Sequence, residues 1–284
     1  MAVTMPSSPP SLAALYVRAA LTAPLRHGDS LPDSVHELGD QPIDARRLAD
    51  YDRVCGWRVA DVLPPTYLHV LAFPLSVALM VEPAFPFPLV GLVHVANSIT
   101  VHRPVTVGET VSFTVRAADL RPHSAGRQFD LLADASVAGE TVWSGRSTYL
   151  RRGGKPAERP ASTRRAADGT EPRCALSQLR VPGDIGRRYG AVSGDRNPIH
   201  LSGLSAKLFG FPSAIAHGMW LLARTLATLE GRLPDRYTVD VAFKTPVFLP
   251  STVTIAAEHV EDGWTLDVRN AKSGKPHLAG SVTS

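Results

Sequence analysis

NSITVHRPVTVGETVSFTV, residues 97 to 115, lies over VDVAFKTPVFLPSTVTIAA, residues 239 to 257, with Pro104 on Pro246, Val105 on Val247 and Val111 on Val253, a constant offset of 142. Each stretch is a β-branched alternating run broken by a Pro-Val pair, the pattern of two antiparallel strands joined by a short connection. Upstream, YDRVCGW from Tyr51 matches YGAVSGD from Tyr189 at an offset of 138. Order is kept along both halves, as a duplication produces. The fold class that follows is α+β: a sheet wrapped around one central helix, built twice in one chain.

Between the copies runs RRGGKPAERPASTRRAADGTEP, residues 151 to 172, rich in Arg, Pro, Gly and Ala and without a hydrophobic period. It reads as a linker. The expected division is an extension over 1–40, a first half over 41–150 and a second half over 173–284. In the second half a helix is expected from Pro182 to Ser193, then a loop. A short helix follows over Gly203 to Phe209, closed by Gly210, and a longer one from about Gly218 to Glu230. Strands are expected near 237–245, 251–260, 263–270 and 276–283. Met219, Leu222, Ala223, Leu226 and Leu229 form one apolar stripe whose task is packing.

Of the 284 residues, 44% are hydrophobic and 20% charged, which is the balance of a globular protein with real cores. Only Cys55 and Cys174 are present and no C-x-x-C occurs, so a disulfide framework and a cysteine zinc site are excluded and a reducing, cytoplasmic setting is expected. SLAALYVRAALTAPL near the N-terminus lacks a preceding basic region and is interrupted by Arg18, so it reads as a short amphipathic helix and not a secretion signal. Pro83 to Ala96 is too short and too rich in proline for a membrane span. The net charge of +4 favours anionic partners in a general way. No recognition helix, zinc finger or RNP-like aromatic motif accompanies it, so nucleic acid is not an expected partner.

Polar groups concentrate in YGAVSGDRNPIHLSGLSAKLFGFPSAIAHG, residues 189 to 218. Asp195, Asn197 and His200 lie within six residues, and Pro198 holds Asn197 extended. A carboxylate and an imidazole on one stiffened loop can move a proton to one atom and from its neighbour. Each alone has an ordinary structural reading, as a cap, a turn former or a buried polar residue; the constellation favours chemistry. Ala216-His217-Gly218 follows where the chain enters the long helix. The unpaired N–H groups and positive dipole end of a first helical turn suit an oxyanion, and glycine admits a carbonyl close to the backbone.

This segment resembles the MaoC-like hydratase motif, Y-x-x-x-S-G-D-x-N-P-[IL]-H with a downstream A-H-G. The motif belongs to (R)-specific enoyl-CoA hydratases and related 3-hydroxyacyl-thioester dehydratases. The whole layout resembles the double-hotdog members of actinobacterial and mycobacterial type, whose first half keeps the fold without the catalytic loop. The resemblance implies reversible dehydration of a (3R)-3-hydroxyacyl thioester to a trans-2-enoyl thioester. It also implies Asp195 and His200 as the dyad, Asn197 as a supporting amide and Gly218 as the oxyanion donor. Some single-domain hydratases have a serine eight residues after that glycine; here the position is Leu226, which bears on acyl-chain preference.

The asymmetry is visible internally, because Trp57 stands where Asp195 stands and no N-P-x-H follows it, so one site per chain is expected. If His69 aligns with His217 the offset is 148, ten more than the 138 upstream, so the first half has also lost the segment that carries the active-site loop. Its expected duty is to complete the core and line an acyl tunnel, to which Pro83 to Leu92 could contribute, although ordinary packing is the simpler reading of that stretch. No metal and no cofactor are expected, since H-E-x-x-H and the Gly-rich nucleotide signatures are absent. The expected partner is an acyl thioester of CoA or of acyl carrier protein. Arg187, Arg188, Lys207 and Lys244 are placed to meet phosphates or an acidic surface or to be plain solvated charge. A monomer and a homodimer both fit the sequence. A hotdog thioesterase and a noncatalytic acyl-binding subunit are the competing readings.

Overall fold

The computed structural model describes residues 2–4, 8–22, 26, 28–153 and 177–284. The expected linker therefore lies outside the described residues from position 154 onward.

Eleven strands form one sheet in the order β1-β2-β4-β5-β6-β3-β8-β11-β10-β9-β7. The first half supplies β1 (Ala2–Thr4), β2 (Val35–Pro42), β3 (Leu92–Val101), β4 (Thr110–His123), β5 (Gly126–Val137) and β6 (Glu140–Arg152). The second supplies β7 (Ser177–Val181), β8 (Tyr237–Phe243), β9 (Ser251–Val260), β10 (Gly263–Asn270) and β11 (Pro276–Thr283). The halves meet where β3 pairs antiparallel with β8, and there Ser98 faces Asp240, its own equivalent in the repeat. A pseudo-two-fold axis therefore passes through that pair. This is an α+β double hotdog.

The helices repeat as well. α2 (Ala45–Cys55) starts on Asp44, whose carboxylate accepts from the Arg46 and Arg47 N–H groups, and ends on Gly56 at φ 74°. α4 (Ile185–Ser193) ends on Gly194 at φ 80°, the repeat equivalent of Gly56. Both glycines occupy the left-handed region where a side chain is strained. The long helices are α3 (Pro65–Met80), buried along nearly its whole length against β2, β4 and β5, and α7 (Gly218–Ala227). All five residues of the expected stripe are buried, Leu229 just beyond the end of α7. α1 (Leu12–Thr22) takes the place expected of the amphipathic N-terminal helix. No helix among the described residues is long and apolar enough to cross a membrane.

Several expectations are corrected. The two runs of each repeat are not hairpins: β3 is bonded to β6 and β8, whereas β4 is bonded to β2 and β5. The Pro-Val connections pair instead with the segments leading into the long helices. Leu63 N–H donates to Val105 O at 2.9 Å, and Ala216 N–H donates to Val247 O at 2.9 Å. Those bonds also revise the helix alignment, because Leu63 and Ala216 are thereby equivalent. The counterpart of His217 is Pro64, not His69, and that of Gly218 is Pro65. Seven positions separate Trp57 from Pro64 where twenty-two separate Asp195 from His217, so the first half lacks more of the loop than the His69 alignment implied. α4 begins at Ile185, three residues beyond Pro182, and α7 ends at Ala227, short of Glu230. The loop before α6 (Gly203–Leu208) contains a single helical turn, α5 (Pro198–Leu201), started by Pro198 in its first turn. β2 runs across position 40/41, where the sequence ends the extension; its segment VHELGDQP lacks the apolar alternation that marks a strand.

Arg26 ties α1 to the body of the first half. Its guanidinium donates to the carbonyls of Met80, Val81 and Glu82 at 2.8, 2.6 and 3.0 Å, and to Thr22 Oγ1 at the end of α1. The Met80 and Val81 carbonyls lie at the end of α3, where helix geometry offers no partner one turn on, and Glu82 O also accepts from the Phe85 N–H at 3.0 Å. Arg26→Leu should lower the unfolding free energy by about 3 kcal/mol, the scale of charged hydrogen bonds to buried carbonyls. A urea midpoint equal to wild type would contradict this account.

Candidate active site

Gly194 turns the chain out of α4 and delivers Asp195 to a cavity of about 190 Å³. Asp195 Oδ1 accepts from the Asn197 N–H at 3.1 Å and from the Tyr16 hydroxyl at 2.9 Å. The Asn197 side-chain oxygen accepts from the Ile199 N–H at 3.4 Å, so this amide caps the turn that carries His200. His200 Nδ1 lies 2.8 Å from the Ile215 carbonyl, which can only accept. Nδ1 therefore carries the proton, and Nε2 keeps its lone pair.

The loop and the A-H-G segment are tied together. Ile215 N–H donates to Ile199 O at 3.1 Å, and His217 Nε2 donates to the Asp195 backbone carbonyl at 3.0 Å. His217 stacks on His200 with ring centroids 3.6 Å apart, and its Nε2 is 3.6 Å from Asp195 Oδ2. Gly218 follows as the first residue of α7, its N–H without a carbonyl one turn back to bond. A Cβ on Gly218 would lie 3.0 Å from the Phe243 ring, a tight contact that would press on that ring.

Asp195, His200 and His217 bring their ligand atoms within 4.8 Å of one another, close enough to hold a cation. The stacked rings oppose this: an ion at about 2.1 Å from a nitrogen of each would stand far out of both ring planes. His217 Nε2 is moreover committed as a donor.

The electrostatics separate the two dyad candidates. Burial pushes the Asp195 carboxyl up, but His217, His200, the Asn197 N–H and the Tyr16 hydroxyl outweigh it and hold it below the usual carboxylate range. Burial lowers His200 below the ordinary histidine value, partly offset by Asp195 and the Ile215 carbonyl. Burial, and next His200, takes His217 down to about 3. At neutral pH the site thus holds a carboxylate and two neutral imidazoles, with 26% of the Asp195 side chain still exposed to admit water.

The opposite wall comes from the first half: His69, Phe73, Leu92, His94 and Tyr149. Of the Pro83 to Leu92 stretch only Leu92 lines the cavity, while Phe85 and Phe87 pack on Phe129. Lys244 is the one of the four singled-out basic residues on the cavity wall. Leu226 is fully buried in the core and does not line it. Sequence reading missed Tyr16, the His94–Tyr149 pair and the contacts His217 makes with Asp195 and His200. His217 stood inside the A-H-G motif, but nothing local could have pointed to Tyr16.

A second cavity, about 230 Å³, occupies the pseudo-symmetric position, again lined by both halves. Trp57, Pro64 and Pro65 line it where Asp195, His217 and Gly218 line the first, and Pro65 has no N–H to offer.

Fold and site together define a double hotdog whose candidate site lies where the loop of the second half meets the wall of the first. A MaoC like domain matches residues 165–279, and a FAS1-like, dehydratase domain region matches residues 47–135. The chain is 38% identical to 3-hydroxyacyl-thioester dehydratase X of Mycobacterium tuberculosis, over 89% of this chain and 90% of that protein. The crystal structure of HtdX from the same organism superposes with a TM-score of 0.78 at 37% identity, covering 87% of this chain and 98% of that one. A MaoC-like dehydratase from Phytophthora capsici shares the fold, with a TM-score of 0.71 at 17% identity over 90% of this chain and 96% of that one. The chain belongs to the MaoC-like dehydratase family, among its double-hotdog members.

Buried neutral histidines make the fold sensitive to acid. Burial lowers His69 to about 4 and His94 and His217 to about 3, and lowers His200 and His277 as well. The unfolded chain binds these protons near pH 6.5 and the folded chain does not, so stability is complete above that pH and falls as pH drops toward 4, at about 1.4 kcal/mol per pH unit per histidine. Asp52, which burial raises to about 7, opposes the trend with one group against five. Thermal melts should show Tm dropping steeply from pH 6.5 to 4.5; a flat profile would refute the neutral-histidine site.

Proposed function

We propose that the chain catalyses the reversible hydration and dehydration between trans-2-enoyl and (3R)-3-hydroxyacyl thioesters, of CoA or of acyl carrier protein, in fatty-acid metabolism. The observation that carries this is the convergence on one cavity of an ionised carboxylate, an imidazole with its Nε2 lone pair free, and the first N–H of a long helix. In hydration, Asp195 and His200 hold a water against the β-carbon, take its proton and return one to the α-carbon. The charge that develops on the thioester oxygen is met by the Gly218 N–H. Acid/base work supplies about 100- to 10,000-fold and one oxyanion donor about 100- to 1,000-fold, so both are needed for an enzymatic rate. Asn197 supports the dyad through the turn that carries His200. The R configuration is implied by the family and not by any residue named here.

In this reading residues 173–284 form the catalytic hotdog and 41–150, with the earlier part of β2, the degenerate one that provides the acyl wall. Residues 1–40 are the extension and 151–172 the linker. One site works per chain, since in the first half Trp57 stands in place of Asp195, no N-P-x-H follows it, and Pro65, in place of Gly218, has no N–H. The internal pseudo-dimer already completes the site, so a homodimer is compatible but not required. A cytoplasmic location agrees with CoA and carrier thioester substrates.

Purified protein should remove the enoyl absorbance of a trans-2-enoyl-CoA without releasing free thiol. Asp195→Asn and His200→Ala should each lower kcat by at least about 100-fold. Because the base is a neutral His200 with a lowered pKa, kcat/KM should stay level above pH 7 and fall only below 6.5. Thiol release would favour a thioesterase, and turnover unaffected by both substitutions would remove the dyad.

A further inference from the structure

The helix α1 belongs to neither copy of the repeat, yet it reaches the catalytic carboxylate. The Tyr16 hydroxyl donates to Asp195 Oδ1 at 2.9 Å across 179 residues of sequence. The helix is fixed on either side of that contact. At its start Leu12 packs against Gly194 so closely that a Cβ on the glycine would collide with it. Beyond the contact Ala19 is buried, and Thr22 at the end of the helix is bound by Arg26, which grips the end of α3. Tyr16 therefore does not sit on a loose arm; the fold delivers it.

Tyr16 does not line the cavity, so it acts through Asp195 and not on substrate. With the Asn197 N–H, its hydroxyl fills both lone-pair directions of Oδ1. No hydrogen bond among the described residues occupies Oδ2. Resting on the dehydratase reading above, we infer that Tyr16 is a positioning residue for Asp195: it fixes the carboxylate rotamer, takes Oδ1 out of play and leaves Oδ2 as the oxygen that meets the water. The N-terminal helix is thus part of the catalytic unit, although it lies outside the residues matched to either domain family.

The groups that share the field of Asp195 come from every neighbouring element. They are Tyr189 on α4, His200 on α5, His217 at the head of α7, His69 on α3, and His94 and Tyr149 on β3 and β6. Among the described residues only Tyr16 gives the carboxylate an O–H. A tyrosine-to-phenylalanine change keeps the ring and its packing and removes that donor alone.

The experiment is Tyr16→Phe in the full chain, with kinetics on a trans-2-enoyl-CoA and titration of the Asp195 carboxyl carbon by NMR, its signal assigned by its loss in Asp195→Asn. Expected are a kcat lower by about 10- to 100-fold, the range of one charge-assisted hydrogen bond, with KM within about twofold of wild type. The Asp195 carboxyl should also titrate at a higher pH than in wild type. A wild-type kcat, a loss confined to KM, or an unchanged carboxyl titration would each overturn the assignment. If the wild-type enzyme itself turned over no enoyl thioester, the dehydratase reading would fall, while the NMR titration would still decide whether Tyr16 governs Asp195.

Discussion

Six consecutive residue pairs between β3 and β8 turn two half-sheets into one, and the site exists only because they do. Neither half contains a complete cavity. The second contributes the proton-transfer groups and the helix start, and the first contributes the wall of His69, His94 and Tyr149. With the seam broken, Asp195 and His200 would open onto water, where a developing enolate gains far less from a single N–H. The same seam places Phe243, the last residue of β8, against Gly218, so the strand that joins the halves also sets the steric limit at the oxyanion position.

Within the second half, the geometry rests on short connections that hold the ends of longer elements. Val247 receives Ala216, Ile199 receives Ile215, and Ile215 receives His200. The motif residues are thus fixed mostly by backbone partners. Backbone attachment tolerates side-chain change nearby, which is how the surrounding sequence can vary while the site stays put.

This division explains what was legible in the sequence. The offset of 142 between Pro104 and Pro246 revealed the duplication, because a Pro-Val pair between β-branched runs survives divergence in both copies. The D-x-N-P-x-H order and the A-H-G start were legible because close spacing forces those side chains onto one loop and one helix end. The strand order was not legible: Pro104 and Pro246 look like hairpin turns, and only the competing pull of the helix lead-ins on their neighbours' backbone decides otherwise. The place of Pro64 was hidden too, since a deleted loop leaves no residue to align and His69 offered a false match by identity. Tyr16 was beyond reach, because no local pattern ties an amphipathic helix near the N-terminus to a carboxylate 179 residues later.

The proline at position 65 gives the duplication a direction. Reviving the second cavity would need the missing loop, a carboxylate in place of Trp57 and a backbone N–H that proline cannot supply, and no one of these is of use without the others. Single substitutions therefore cannot climb back to a two-site enzyme. Without the loop and the amide, the first copy serves as the wall of its twin's cavity, a division of labour within one chain.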